Sequence, residues 1–275
     1  MSIRSVVWAC AAWACAAAVA LSGVAWGEQS EMPTNQWDIG PEVYYFRYKE
    51  PDVSVEFEGP MYGLVGSFTH HHANRLMLRA EGRGAWGKVN YTGSGTIDGI
   101  QDWTLEGRLA AGYNMPIGGN RRLTPFVGVG YRYLNDDSSG KTSSTGAVGY
   151  ERESNYLYSP VGVEFSAPWR GHWAVTISAE YDLFWNGWQK SHLEDADPGF
   201  NTVSNTQNRG YGVRSSIMLQ RKGERVDWVI APFVRWWSIK DSENANVTYA
   251  GTIIGYGYEP KNETLEAGGT VTVRF

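Results

Sequence analysis

Cysteine is almost missing. The 275 residues hold two, Cys10 and Cys15, both within the first 27 positions. A disulfide-stapled scaffold is therefore excluded for everything downstream. Long hydrophobic runs are missing too: after Val24 nothing approaches the roughly 18 apolar residues that a membrane-crossing helix needs, and mean hydropathy is −0.38. That excludes a bundle of transmembrane helices. Positive charge is scarce, with 24 Lys and Arg against 29 Asp and Glu, a net of −5. No basic stripe offers itself to phosphates, so nucleic acid is not an expected partner. Internal repeats, a domain boundary and helical periodicity are absent as well.

What the chain does have is strand signal. Aromatics make up 14% of it, and it holds 33 Gly. In "HWAVTISAEYDLFW" (172–185), Trp173, Val175, Ile177, Ala179, Tyr181, Leu183 and Trp185 alternate with Ala174, Thr176, Ser178, Glu180, Asp182 and Phe184. Period-two alternation predicts a β-strand with one apolar and one polar face. Similar segments lie near 37–50, 60–70, 74–91, 102–115, 122–135, 152–167, 207–221, 225–240 and 263–275, about ten in all.

Arg4 is the only charge before Glu28. An apolar stretch follows it and ends in the small-x-small site Ala25-Trp26-Gly27. This pattern predicts a signal peptide over 1–27, then a short polar leader over 28–36 and one β domain over 37–275. Ala12-Trp13-Ala14 before Cys15 does not match a lipoprotein signal. Loss of the single cation Arg4 takes the charge from −5 to −6. A large exported domain without cysteine needs another source of stability, and closing a barrel supplies one by removing unpaired sheet edges.

The connections alternate in length. Short ones are expected at 71–74, 115–121, 167–172 and 222–224, and long ones at 51–59, 92–101, 136–151, 188–206 and 241–262. Short turns at one end and longer loops at the other characterise bacterial outer-membrane barrels. The short turns carry Arg75, Arg121, Arg122, Arg170, Arg221, Lys222 and Arg225, whereas the long loops are acidic. Same-face aromatics fit two membrane-interface girdles. Trp173 and Trp185 would stand about 30 Å apart along the membrane normal, and Trp103 and Tyr113 about 25 Å. Trp228 and Phe275 join the lower girdle and Trp236 the upper, because an apolar ring with a polar handle favours that level.

The last strand, "LEAGGTVTVRF", ends on Phe275 with Val273 and Val271 at alternating positions. It resembles the C-terminal signal of outer-membrane β-barrel proteins. That resemblance implies recognition of Val271, Val273 and Phe275 by the barrel-assembly machinery. In general shape the chain resembles the small opacity-protein and OmpA-like barrels, with a strand number like that of the omptin proteases. The fold class expected is all-β, a single antiparallel up-and-down transmembrane barrel of about ten strands in the bacterial outer membrane, in contact with its lipid.

With the apolar parity outward, the inward residues become Arg79, Glu81, Arg83, Glu106, Arg108, Arg132, Glu164, Glu180, Asp182, Arg214, Arg235, Glu266 and Arg274, with Glu42 on a first strand of ambiguous parity. Charges enclosed in a narrow barrel must be paired or hydrated. A balanced Arg–Glu lattice is expected, with Arg214 the nearest candidate partner for Glu180 and Asp182. Other constellations carry less. The neighbours in "HHH" (70–72) point to alternate faces and cannot converge on one ion. "HLEDAD" (192–197) has an acidic histidine cluster, but Lys190 stands where an omptin would have Asp, so no catalytic residue is assigned. "GTIIGYGY" (251–258) reads as a strand extension or a contact surface. The expected role is structural or that of a narrow pore, without enzymatic activity, cofactor or metal. The alternative is an adhesin or receptor that meets a surface ligand or host partner through the loops.

Overall fold

The computed structural model describes residues 34–275. The expected signal peptide (1–27) and residues 28–33 of the leader lie outside them. Ten long strands dominate: β1 (Asn35–Glu50), β2 (Val55–His71), β3 (Leu76–Thr92), β4 (Thr96–Tyr113), β5 (Arg122–Asp137), β6 (Glu151–Pro168), β7 (Trp173–His192), β8, β9 (Asp227–Ile239) and β10 (Asn262–Arg274). Strand β8 consists of two pieces, Thr202–Gln207 and Gly210–Arg221, which both pair with β7. Each strand runs antiparallel to the next, and β1 pairs with β10 from Asp38↔Arg274 to Lys49↔Glu263. Trp37 and Phe275 exchange backbone hydrogen bonds of 2.8 and 3.0 Å at the seam. The sheet is thus a closed barrel without a free edge. Among the described residues no helix is long and apolar enough to cross a membrane.

The parity is inside out. Ile39, Val43, Leu64, Leu105, Leu109, Val127, Val161, Leu183, Ile230 and Val271 are exposed on the outer face. Glu42, Thr104, Glu106, Arg132, Asp182 and Glu266 are buried in the lumen. The ambiguity of β1 is resolved: Glu42, Tyr44, Phe46, Tyr48 and Glu50 point in, and Tyr45 points out. Val175 shares the outward parity of Trp173 but is buried. Strand β7 also breaks its own alternation. Its pairing with β6 steps from Phe184↔Tyr158 to Asn186↔Leu157, so Trp185 is an extra, bulged residue. Beyond it Gly187 and Gln189 face inward. A bulge re-aims side chains in this way, and simple alternation cannot anticipate it.

Two of the connections expected to be long are short. Strands β1 and β2 continue until only 51–54 remains between them, and β3 and β4 until only 93–95 remains. The upper end of the β1–β2 ladder is stitched by charge, with Arg47 and Lys49 on Glu56, the latter pair at 2.8 Å. The connection after β7 shrinks to 193–201, which contains a 3₁₀ turn at Leu193–Asp195. The last connection holds a separate hairpin, Ala245–Tyr249 with Thr252–Gly257. "GTIIGYGY" is therefore mostly one arm of a standalone two-stranded sheet, not an extension of a barrel strand.

Candidate functional site: the lumen and its two mouths

Strand alternation delivers every second side chain to the lumen, and closure brings distant strands face to face. The centre is a lattice of arginines and carboxylates. Arg214 on β8 donates to Asp182 (2.6 Å) on the neighbouring β7 and reaches across to Glu106 (2.9 Å from Nη1) on β4. Its Nε also lies 3.3 Å from Glu180, which pairs with Arg108 at 2.5 Å. Arg83 contacts Glu106 (2.6 Å), Glu266 (3.0 Å) and Glu42 (3.3 Å). Arg235 holds Glu42 (2.6 Å) and Glu266 (3.0 Å). Arg132 on β5 meets Glu266 on β10 at 2.6 Å, with neither side chain exposed. Nearer the short turns, Arg79 pairs with Glu164 (2.5 Å) and Arg274 with Asp38 (2.7 Å). Glu81 lies 3.6 Å from Arg108. Each of the thirteen inward residues expected from the alternation, and Glu42, thus lies within salt-bridge distance of an opposite charge, most of them in one central network and Arg79–Glu164 and Arg274–Asp38 as separate pairs.

Alternation does not reveal the aromatic and aliphatic layer buried above this lattice, which polar groups such as Asp102, Gln189 and Gln207 interrupt. Tyr44, Phe46, Met61, Val89, Ile100, Leu134, Tyr156, Tyr158, Trp237 and Ile239 form one buried cluster. Tyr158 of β6 packs edge-on against Trp237 of β9 at 5.0 Å. The Arg132 and Arg214 guanidiniums lie 5.5 and 5.4 Å from the Trp237 ring, so the apolar layer rests on the charged one through cation–π contacts. The adjacent pair Trp236-Trp237 was the available signal. On a strand the two must face opposite ways.

Lattice and aromatic layer separate two cups. The short-turn cup is a cavity of about 190 Å³ lined by Arg79, Glu81, Arg108, Glu164, Glu180, Ser216 and Arg274 among others. The loop-end cup, about 360 Å³, is lined by Glu50, Phe57, Tyr91, Tyr150, Arg152, Tyr258 and Glu259 among others. The two share no lining residue. At the floor of the loop-end cup Arg152 donates to both Glu50 and Glu259 at 2.5 Å, beneath which Tyr48 bonds the same two carboxylates at 3.0 Å. Burial pushes the Glu259 carboxyl above its ordinary range. Arg152 pulls it back, and neighbouring Glu50 adds to the rise.

The remaining sequence candidates have local partners. His70, His71 and His72 bond three different residues, Asn35 (2.8 Å), Asn114 (3.0 Å) and Asn74 (3.0 Å). His192 bridges Glu153 (2.9 Å) and Glu194 (3.3 Å), and Thr202 also donates to Glu194. Asp195 accepts the Glu151 N–H at 3.0 Å, and Asp197 the Gly199 N–H at 2.8 Å. The "HLEDAD" acids thus tie down the loop that carries them. On the outer face, Tyr113, Trp173, Trp228 and Phe275 lie toward the short turns, and Trp103, Trp185 and Trp236 toward the loops. Val271 is exposed and Val273 half-buried.

A family model described as the autotransporter beta-domain matches residues 49–219, from the end of β1 to the end of β8. The chain belongs to this family. As an autotransporter β-domain with a closed antiparallel barrel, it is a bacterial outer-membrane protein. No curated protein matches it. Among solved structures it is similar to the outer membrane protease OmpT of Escherichia coli. The TM-score is 0.64 at 10% identity, covering 90% of this chain and 99% of that one, a likeness of fold. A mutant of the monoaromatic hydrocarbon channel TodX matches at TM-score 0.37 and 8% identity, covering 89% and 91%. OprG of Pseudomonas aeruginosa matches at TM-score 0.35 and 11% identity, covering 90% and 99%.

Proposed function

We propose that this autotransporter β-domain works as a non-conducting outer-membrane scaffold. In this reading its activity is exercised at the loop end, not by passage through the lumen. One observation carries it: the Arg132–Glu266 pair at 2.6 Å, without side-chain exposure, joins β5 to β10 across the barrel. The two cups without a common lining residue support it. An open pathway would have to break several buried ion pairs at several kcal/mol each. The acidic loops around the loop-end cup, above the Arg152 floor, are the surface offered to a ligand or host partner. The aromatic pairs Trp173/Trp185 and Tyr113/Trp103, together with Trp228, Trp236 and Phe275, act as interface anchors. Val271, Val273 and Phe275 act as the assembly signal. The likeness to OmpT, at 10% identity, carries no protease activity to this chain.

Planar-bilayer recording on the refolded barrel tests the proposal. No unitary current is expected at moderate voltage. Reproducible conductance steps that scale with salt would refute it.

A further inference from the structure

Two short turns meet at one place on the barrel. Lys222, in the β8–β9 turn, donates its backbone N–H to His172 in the β6–β7 turn at 2.8 Å. The second turn is itself braced by Trp169 N–H to Trp173 O (2.8 Å) and Trp173 N–H to Arg170 O (3.0 Å). The contact gathers Arg170, Arg221, Lys222 and Arg225 into one exposed patch. Among the described residues none of these four cations has a carboxylate at salt-bridge distance. The acids nearby are Glu224 and Asp227, and Asp227 is occupied by Gln220 (2.5 Å) and the Gly223 N–H (2.9 Å).

At the upper edge of the patch the ladder aligns three outward residues. Arg221 of β8 stands opposite Trp173 of β7 on one side and Trp228 of β9 on the other. Trp169 and Trp228 are exposed on the outer surface. A guanidinium flanked by two indoles at the end of an apolar wall matches the level where a bilayer passes from acyl chain to phosphate. Arginine offers a fork of N–H donors that binds phosphate oxygens in pairs. Lysine and arginine close to an anionic leaflet add attraction that salt screens.

We propose that Trp173, Arg221 and Trp228, with Arg170, Lys222 and Arg225 below them, form a binding site for the headgroup of an anionic glycerophospholipid in the leaflet at the short-turn end. The indoles pack on the glycerol region and upper acyl chain while the cations hold the phosphate. The site is independent of whether the lumen conducts, so its test and the conductance test fail separately.

The full-length barrel, refolded into nanodiscs of equal parts phosphatidylglycerol and phosphatidylcholine with matched acyl chains, is released for native mass spectrometry, and the retained lipids are counted. The wild type is expected to keep phosphatidylglycerol at least tenfold over phosphatidylcholine. Arg221→Gln with Arg225→Gln should bring that preference close to one. Lys141→Gln with Lys240→Gln, at the loop end, should leave it unchanged. Each variant is first shown to be folded by its heat-modifiable gel mobility. Should the first pair fail to fold, Arg170→Gln with Lys222→Gln takes its place with the same expectation. Equal retention of both lipids by the wild type overturns the proposal. So does a preference that survives in the patch variants, or one lost equally in the loop-end variant.

Discussion

The most discriminating perturbation of the lumen is Glu266→Gln. This carboxylate receives Arg132 at 2.6 Å and Arg83 and Arg235 at 3.0 Å. The three arginines are not equally dependent on it. Arg83 keeps Glu106 and Glu42, and Arg235 keeps Glu42. Arg132 keeps no hydrogen bond and only its cation–π contact with Trp237, since its Nε and Nη1 have no hydrogen-bond partner and Nη2 bonds Glu266. Neutralising Glu266 therefore strands one fully buried guanidinium, at an expected cost of about 3–5 kcal/mol. Arg132→Met removes the same contact from the other side. It leaves Glu266 with two arginines and deletes two unsatisfied guanidinium nitrogens, so it should cost only about 1–2 kcal/mol. In the double variant no stranded charge remains, and its loss should fall short of the sum of the single losses by about 1–3 kcal/mol. Equilibrium urea unfolding in phosphatidylcholine vesicles, followed by tryptophan fluorescence, measures all three. An Arg132→Met loss equal to that of Glu266→Gln, or strict additivity in the double variant, would refute the reasoning.

Two further outcomes follow from packing and from the rim. A Cβ on Gly130 would collide with the Tyr158 ring, whereas one on Gly82 would meet nothing within 4 Å. Gly130→Ala should destabilise by about 1–3 kcal/mol in the same unfolding assay while Gly82→Ala stays near neutral; equal effects would mean that the lumen side is not tightly packed. At the rim, burial raises the half-buried Glu194 carboxyl. The Thr202 hydroxyl, its own backbone N–H and His192 outweigh that and hold it below the ordinary range. A depressed carboxylate contributes stability that is fully present above its unfolded value, near 4.5, and is lost as pH falls through the lower folded value. Hydrogen-exchange protection across 193–201, corrected for the intrinsic pH dependence of exchange, should therefore fall below about pH 4.5, and Thr202→Val should shrink that fall, because a folded value nearer the unfolded one leaves less stability to lose. Protection that is flat across that window would remove Glu194 from the account.

The strands and their facing were legible because a β-strand has a period of two. Arg79, Arg83, Glu106, Arg108, Arg214 and Glu266 sit at polar positions of alternating segments, and each points into the lumen. The pairing of Arg214 with Glu180 and Asp182 was legible too, because consecutive antiparallel strands are neighbours. Legibility failed where alternation stops being local. Trp185 is bulged, and every side chain beyond it on β7 changes face. In β1 aromatic residues occupy both parities, so the tyrosines and Phe46 of the inner layer could not be told from Tyr45 outside. The turn 51–54 reads as a longer loop because polar residues such as Glu56 and Glu58 interrupt the apolar pattern at the start of β2. On the strand those residues are held by Arg47 and Lys49.

By itself the sequence determined the class of the protein: without cysteine beyond position 15, alternating, basic at the short turns, acidic at the loops, and with Phe275 closing a last strand that the structure places at the seam. Each of these properties belongs to single residues or to neighbours in the chain. Only the tertiary structure decided which charges meet. Arg132 and Glu266 are 134 positions apart, and nothing in either segment specifies the other. Their contact depends on how many strands close the ring and on the register of every ladder between them. The same closure set an aromatic layer on the ionic one and brought Lys222 against His172, because side chains and turns that are remote in sequence have no other space to occupy once the last strand bonds the first.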